Sequence, residues 1–112
     1  MPHLIIEHSA NVAVGRDMQS ACDQIFEKLI LHPEIAEVAT KVRTITSGAH
    51  RIGTDPQSYA HATLLLLPGR DADTKTELAE MVLNALDAVF ADVGSLSVDL
   101  ADLDPAYAKR VL

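Results

Sequence analysis

The 112-residue sequence predicts an α+β domain in which a four-stranded sheet carries two helices on one face, and three observations lead there. Near-continuous apolar runs at 2–8 and 59–67 read as strands buried on both faces. Each run is followed by a segment of helical apolar spacing and then by an alternating segment, so the order β-α-β occurs twice. The two halves also share a junction, Gly15-Arg16-Asp17 before the first helical segment and Gly69-Arg70-Asp71 before the second.

The first strand is PHLIIEH at 2–8, where Leu4, Ile5 and Ile6 follow the proline with no polar lead-in. From Met18, the residues Ala21, Cys22, Ile25, Phe26, Leu29 and Ile30 recur at three and four positions, which predicts a helix over 17–31 with Asp17 as N-cap and Pro33 as stop. VATKVRTIT at 38–46 is dominated by β-branched residues and reads as the second strand. Gly48, Gly53, Asp55 and Pro56 punctuate 47–58, which reads as a loop. YAHATLLLL at 59–67 is the third strand, ended by Pro68 and Gly69. Thr74 and Glu77 have the spacing of a capping box and open a helix over 74–92, whose stripe is Leu78, Met81, Val82, Ala85, Leu86 and Val89. Gly94 stops it, and SLSVDLA at 95–101 alternates as the last strand.

With right-handed crossovers both helices fall on the same side of the sheet. The other side of strands 2–8 and 60–67 is then an apolar patch, and association into a homo-oligomer is the expected cover. Length and composition fit one domain over residues 1–112. Nine Lys and Arg against sixteen Asp and Glu give a net charge of −7 with no basic run, a poor footprint for nucleic acid. The longest apolar run, LLLL at 64–67, is too short to span a bilayer, and the amino terminus lacks signal-peptide layout, so a cytoplasmic protein without a membrane partner is expected. The lone Cys22 lies among helix-patterned residues and reads as an inert buried thiol. His3, His8, His32, His50 and His61 follow no metal-ligand spacing, and His3 and His8 fall on opposite faces of their strand because their separation is odd. Phosphate-loop, dinucleotide and hydrolase signatures are absent.

The opening proline is the residue with chemical potential. Removal of Met1, usual before a small second residue, converts the Pro2 nitrogen from an amide into a secondary amine. Burial among apolar residues or near arginines disfavours the charged form of such an amine and gives a neutral base near pH 7. Taken alone, Pro2 also serves simply as a rigid strand start, where its missing N–H costs nothing.

MPHLIIEHSANV, VRT at 42–44, HATLLLLPGR at 61–70 and SVDLADLDP at 97–105 together resemble the 5-carboxymethyl-2-hydroxymuconate Δ-isomerase family of the tautomerase superfamily over nearly the whole chain. The resemblance implies the double βαβ fold, a homotrimer, no metal or organic cofactor, and an amino-terminal proline as catalytic base. It also implies that Arg43 and Arg70 bind a substrate carboxylate and the developing enolate oxygen, with Lys41 and Arg51 as weaker candidates. The segment 47–58 is shorter than in the family, so a related unsaturated 2-oxo or 2-hydroxy acid is as fitting a substrate as the named muconate. The implied activity is an isomerase shifting a double bond in a small di- or tricarboxylic acid. The alternatives are a non-catalytic trimeric binding protein of the same fold and a hydratase or decarboxylase of the superfamily.

Overall fold

The computed structural model describes all 112 residues. Four strands, β1 (His3–Ser9), β2 (Lys41–Ser47), β3 (Tyr59–Leu66) and β4 (Ser95–Asp102), form one sheet in the order β2-β1-β3-β4. The helices α1 (Met18–Leu29) and α2 (Ala72–Val89) complete the two βαβ units, since β1 runs parallel to β2, and β3 parallel to β4. The units join through antiparallel pairing of β1 with β3 at the centre. No helix is long and apolar enough to cross a membrane.

Parity decides which strand residues meet the helices. Leu4 and Ile6 of β1, with Ala60, Ala62, Leu64 and Leu66 of β3, are almost wholly buried and join Ile25 and Leu29 of α1 and Leu78, Val82 and Leu86 of α2 in one core. Asp17 is the N-cap of α1, its carboxylate accepting from the Ser20 backbone N–H at 3.1 Å. That bond satisfies one of the donors a helix start leaves unpaired.

The structure corrects the sequence expectations at four places. Residues 37–39 form a 3-10 turn, with Val38 fully exposed, so the second strand begins at Lys41 and not at 38. Thr40 Oγ donates to the Ala36 carbonyl there, a local bond that wins over β propensity. The cap of α2 is Asp71, one turn before Thr74: Asp71 accepts from the Thr74 N–H at 2.8 Å, so Thr74 already lies in the first turn. Both helices stop short of their expected ends, at Leu29 and Val89, the second because Phe90 leaves helical geometry at φ −117° and fills the core. Finally, the sheet face away from the helices is mixed. It carries Ile5, Ile45 and Leu65, but also His3, Glu7, Arg43, His61, Ser97 and Asp99. Linear reading does not separate the two parities: His3, Glu7, His61 and Thr63 share the outer one, while His8 has the other and is buried.

Replacing the fully buried Ile25 by alanine is expected to lower stability by about 2–5 kcal/mol, against about 1 kcal/mol for Asp17→Ala at the cap. Urea unfolding of the two variants beside the parent checks the order and the size.

Candidate active site

The topology brings the chain's start into the sheet interior. β1 and β2 begin, and β3 and β4 end, at one end of the sheet, where the turn into α2 also lies. Pro2 is buried there, and its carbonyl accepts from the Lys41 N–H at 3.0 Å, so the residue is tied down before β1 begins. Its nitrogen is in peptide linkage with Met1. The Met1 amine just beyond it is held below its ordinary pKa, first by burial and then by the positive charges of Arg70, Lys109 and Lys41.

Arg70 reaches this end through the turn after β3. Gly69 sits at φ +123°, a conformation that side chains rarely adopt, and Asp71 then caps α2. The bond from the Thr74 backbone N–H holds the Asp71 carboxyl below the usual carboxylate range. The guanidinium donates from Nη1 to the Leu67 carbonyl at 2.7 Å and pairs through Nε with Glu34 Oε2 at 3.5 Å.

Arg43 lies on the sheet face away from the helices. Its Nη1 stands 3.2 Å from His3 Nδ1, and His3 Nε2 stands 2.9 Å from the Tyr107 hydroxyl. A guanidinium only donates, so Nδ1 accepts and the ring proton sits on Nε2, donated to the tyrosine oxygen. The imidazole is neutral in this arrangement. Burial, then Lys41, Arg43 and the amino terminus, all push its pKa down. Tyr107 meets the ring edge-on at a centroid distance of 5.7 Å, and Lys109 reaches Met1 Sδ, so the chain's carboxy-terminal segment closes against its start.

Of the residues singled out from sequence, Pro2, Lys41 and Arg70 gather at this end, and Arg43 joins them through His3. Arg51 is elsewhere. It donates to the Gly53 carbonyl within the 47–58 loop and lines a polar groove of about 660 Å³ with Asn11 and Ser58, at the far end of the strands, roughly 20 Å away for seven-residue strands. Tyr107 and Lys109 were not legible from the sequence, because Tyr107 meets His3 across 104 residues and neither belongs to a periodic element. Cys22 is buried, and burial and then Asp23 raise its pKa and keep the thiol protonated. No group of three His, Cys, Asp or Glu side chains is placed to hold a metal ion.

Two βαβ units joined antiparallel, with the amino terminus fixed among cations at the sheet's end, define a tautomerase-superfamily fold. The family profile of 5-carboxymethyl-2-hydroxymuconate isomerase matches residues 2–110, and the chain belongs to that family of isomerases. The fold is similar to that of a 5-carboxymethyl-2-hydroxymuconate delta-isomerase (TM-score 0.81, 19% identity, covering 99% of this chain and 88% of that one). It is similar as well to a 5-carboxymethyl-2-hydroxymuconate isomerase from Deinococcus radiodurans R1 (0.79, 20%, 98% and 88%). A protein described as a wild-type fused 4-OT symmetric trimer shares the fold at 0.67, with 18% identity over 95% of this chain and 91% of that one. No curated protein sequence matches the chain.

His3 should titrate below an ordinary histidine when followed by NMR. In Arg43→Gln one of the cations facing it is gone, so its pKa should rise while staying depressed by burial and Lys41. An unchanged titration in that variant would contradict the Arg43–His3 contact.

Proposed function

We propose that this isomerase, once Met1 is removed, uses the Pro2 amine as general base to move a double bond in an unsaturated 2-hydroxy or 2-oxo di- or tricarboxylic acid of the 5-carboxymethyl-2-hydroxymuconate type. The observation that carries the proposal is the gathering of Arg70, Lys109 and Lys41 around the chain's amine in a protein of net charge −7. Burial and those charges lower the pKa of the Met1 amine, the same surroundings would act on a Pro2 amine, and the charges attract an anionic substrate.

In this mechanism Pro2 takes the proton from the dienol hydroxyl, or from the carbon beside the carbonyl, and returns it at the far conjugated carbon. Charge moves onto the enolate oxygen between the two transfers. Arg43 and Arg70 divide the holding of a carboxylate from the stabilisation of that oxygen, as guanidinium groups do through paired N–H donors. The chemistry needs neither metal nor organic cofactor, because a proton is moved and returned within one substrate.

Kinetics with 5-carboxymethyl-2-hydroxymuconate, on protein whose intact mass lacks Met1, test the mechanism. Pro2→Ala should lower kcat far more than it changes KM, and Arg43→Ala and Arg70→Ala should each cost on the order of 2–4 kcal/mol in kcat/KM. The neutral amine is the working form, so kcat/KM should rise with pH through the pKa of the Pro2 amine, expected low for the same reasons as that of Met1, and then level off. A Pro2→Ala enzyme at parental rate would remove proline from the mechanism. Complete retention of Met1 in protein from its own cells would favour a non-catalytic binding role.

The assembly we propose is a homotrimer. Ile5, Ile45 and Leu65 stay partly exposed on the free sheet face, and the outer edges of β2 and β4 have no strand partner. Closing three copies in a ring covers such surfaces with one repeated interface. Light scattering at micromolar concentration should give three times the 12.1 kDa chain mass, and a monomer would refute the trimer.

A further inference from the structure

We propose that Glu34 is the positioning residue for Arg70, fixing the guanidinium so that its remaining N–H groups form a rigid donor set for the anionic substrate. This rests on the role given to Arg70 above. A guanidinium has five N–H donors. In Arg70, Nε faces Glu34 at 3.5 Å and one Nη1 proton goes to the Leu67 carbonyl at 2.7 Å, which leaves three for a ligand. The Nε atom is buried and has no hydrogen bond, so Glu34 supplies the charge that offsets its desolvation.

Glu34 is itself held in place, although it belongs to no helix. Its backbone N–H donates to His32 Nδ1 at 3.0 Å, and His32 Nε2 meets Glu77 Oε1 on α2 at 2.7 Å. The Ile35 N–H donates to the His32 carbonyl at 3.0 Å, and the Ile35 side chain is buried. Arg70 stands two residues before α2 begins, and Glu77 lies within that helix. The clamp through His32 therefore ties both ends of the Arg70–Glu34 pair to the same rigid element. Only a fixed pair can hold a donor set to the tolerance that a reacting substrate needs.

The other half of the fold supplies an internal comparison. Arg16 occupies the corresponding junction, donates to the Val12 carbonyl, pairs with Asp92 and lies over the Phe90 ring at 5.1 Å. Its guanidinium is occupied by the fold. Arg70 has the same two kinds of anchor, a backbone carbonyl and a carboxylate, without the aromatic ring.

Glu34→Ala and Glu34→Gln, which both remove the charge facing Nε, should lower kcat/KM for 5-carboxymethyl-2-hydroxymuconate about tenfold, and Glu34→Asp, which keeps it, should stay within about threefold of the parent. In an Arg70→Ala background the Glu34→Ala change should have no further effect, because the residue acts through Arg70. Asp92→Asn should leave kcat/KM unchanged. Independently of substrate, the Arg70 Nε–H resonance should exchange slowly with solvent in the parent and in Glu34→Asp, and rapidly in Glu34→Ala. Parental kcat/KM in Glu34→Ala, additive losses in the double variant, or unaltered Nε–H exchange would each overturn the role. Parental activity in Arg70→Ala would instead overturn the site itself, and the role of Glu34 with it.

Discussion

A chain terminus is ordinarily the least ordered part of a domain, and here it is built into the second position of the sheet. β1 is paired on both sides, by β2 and by β3, so its position is set by two ladders at once. The bond from the Lys41 N–H to the Pro2 carbonyl extends that order past the strand's first residue. The pyrrolidine ring limits φ and needs no donor partner, so proline adds rigidity where another residue would leave an N–H to satisfy. Everything proposed for the site requires a nitrogen that does not move relative to the cations around it, and these pairings supply that condition.

The same scaffold occurs twice, and only one copy carries cations on its second strand. The Ser95 N–H meets the Ser58 carbonyl at 3.0 Å just as the Lys41 N–H meets that of Pro2, because β3 and β4 repeat the arrangement of β1 and β2. At the second copy the chain continues through Gln57 and Ser58, so the position corresponding to Pro2 can never become a free amine. The register places Ser97 where the first copy has Arg43. Backbone geometry thus provides two equivalent places, and the sequence equips the one at which a terminus exists.

The repeated β-α-β order was legible because apolar spacing and junction glycines are local signals, read within a few turns or pleats. Boundaries were less so. The β-branched content of 38–46 predicts a strand from residue 38, yet the Thr40 hydroxyl closes a turn on the Ala36 carbonyl. The mixed character of the free sheet face was hidden for a related reason: His3, Glu7 and His61 sit within apolar runs, and only pairing parity sends them all to one side. In the candidate site, Pro2 stands out from its place directly after Met1, whereas Arg43 and Arg70 rest on family resemblance. Neither Tyr107 nor Glu34 could have been found by spacing, since each meets its partner across 36 residues or more, through topology alone.

Electrostatics ties the site to the rest of the acidic chain. Two cations at this end have carboxylate partners, Arg70 with Glu34 and Lys75 with Asp102. Lys41, Arg43 and Lys109 rest instead on neutral atoms: the Ala39 carbonyl, the His3 ring and the Met1 sulfur. Unbalanced like charges repel, and an anionic ligand between them relieves that repulsion while the amine beside them stays neutral. Lys109 has a further dependence, because its partner is the very residue whose removal exposes the Pro2 nitrogen. In the proposed mechanism, loss of Met1 would therefore create the base and free a cation beside it in one step, so processing would act on the charge of the site as well as on its chemistry.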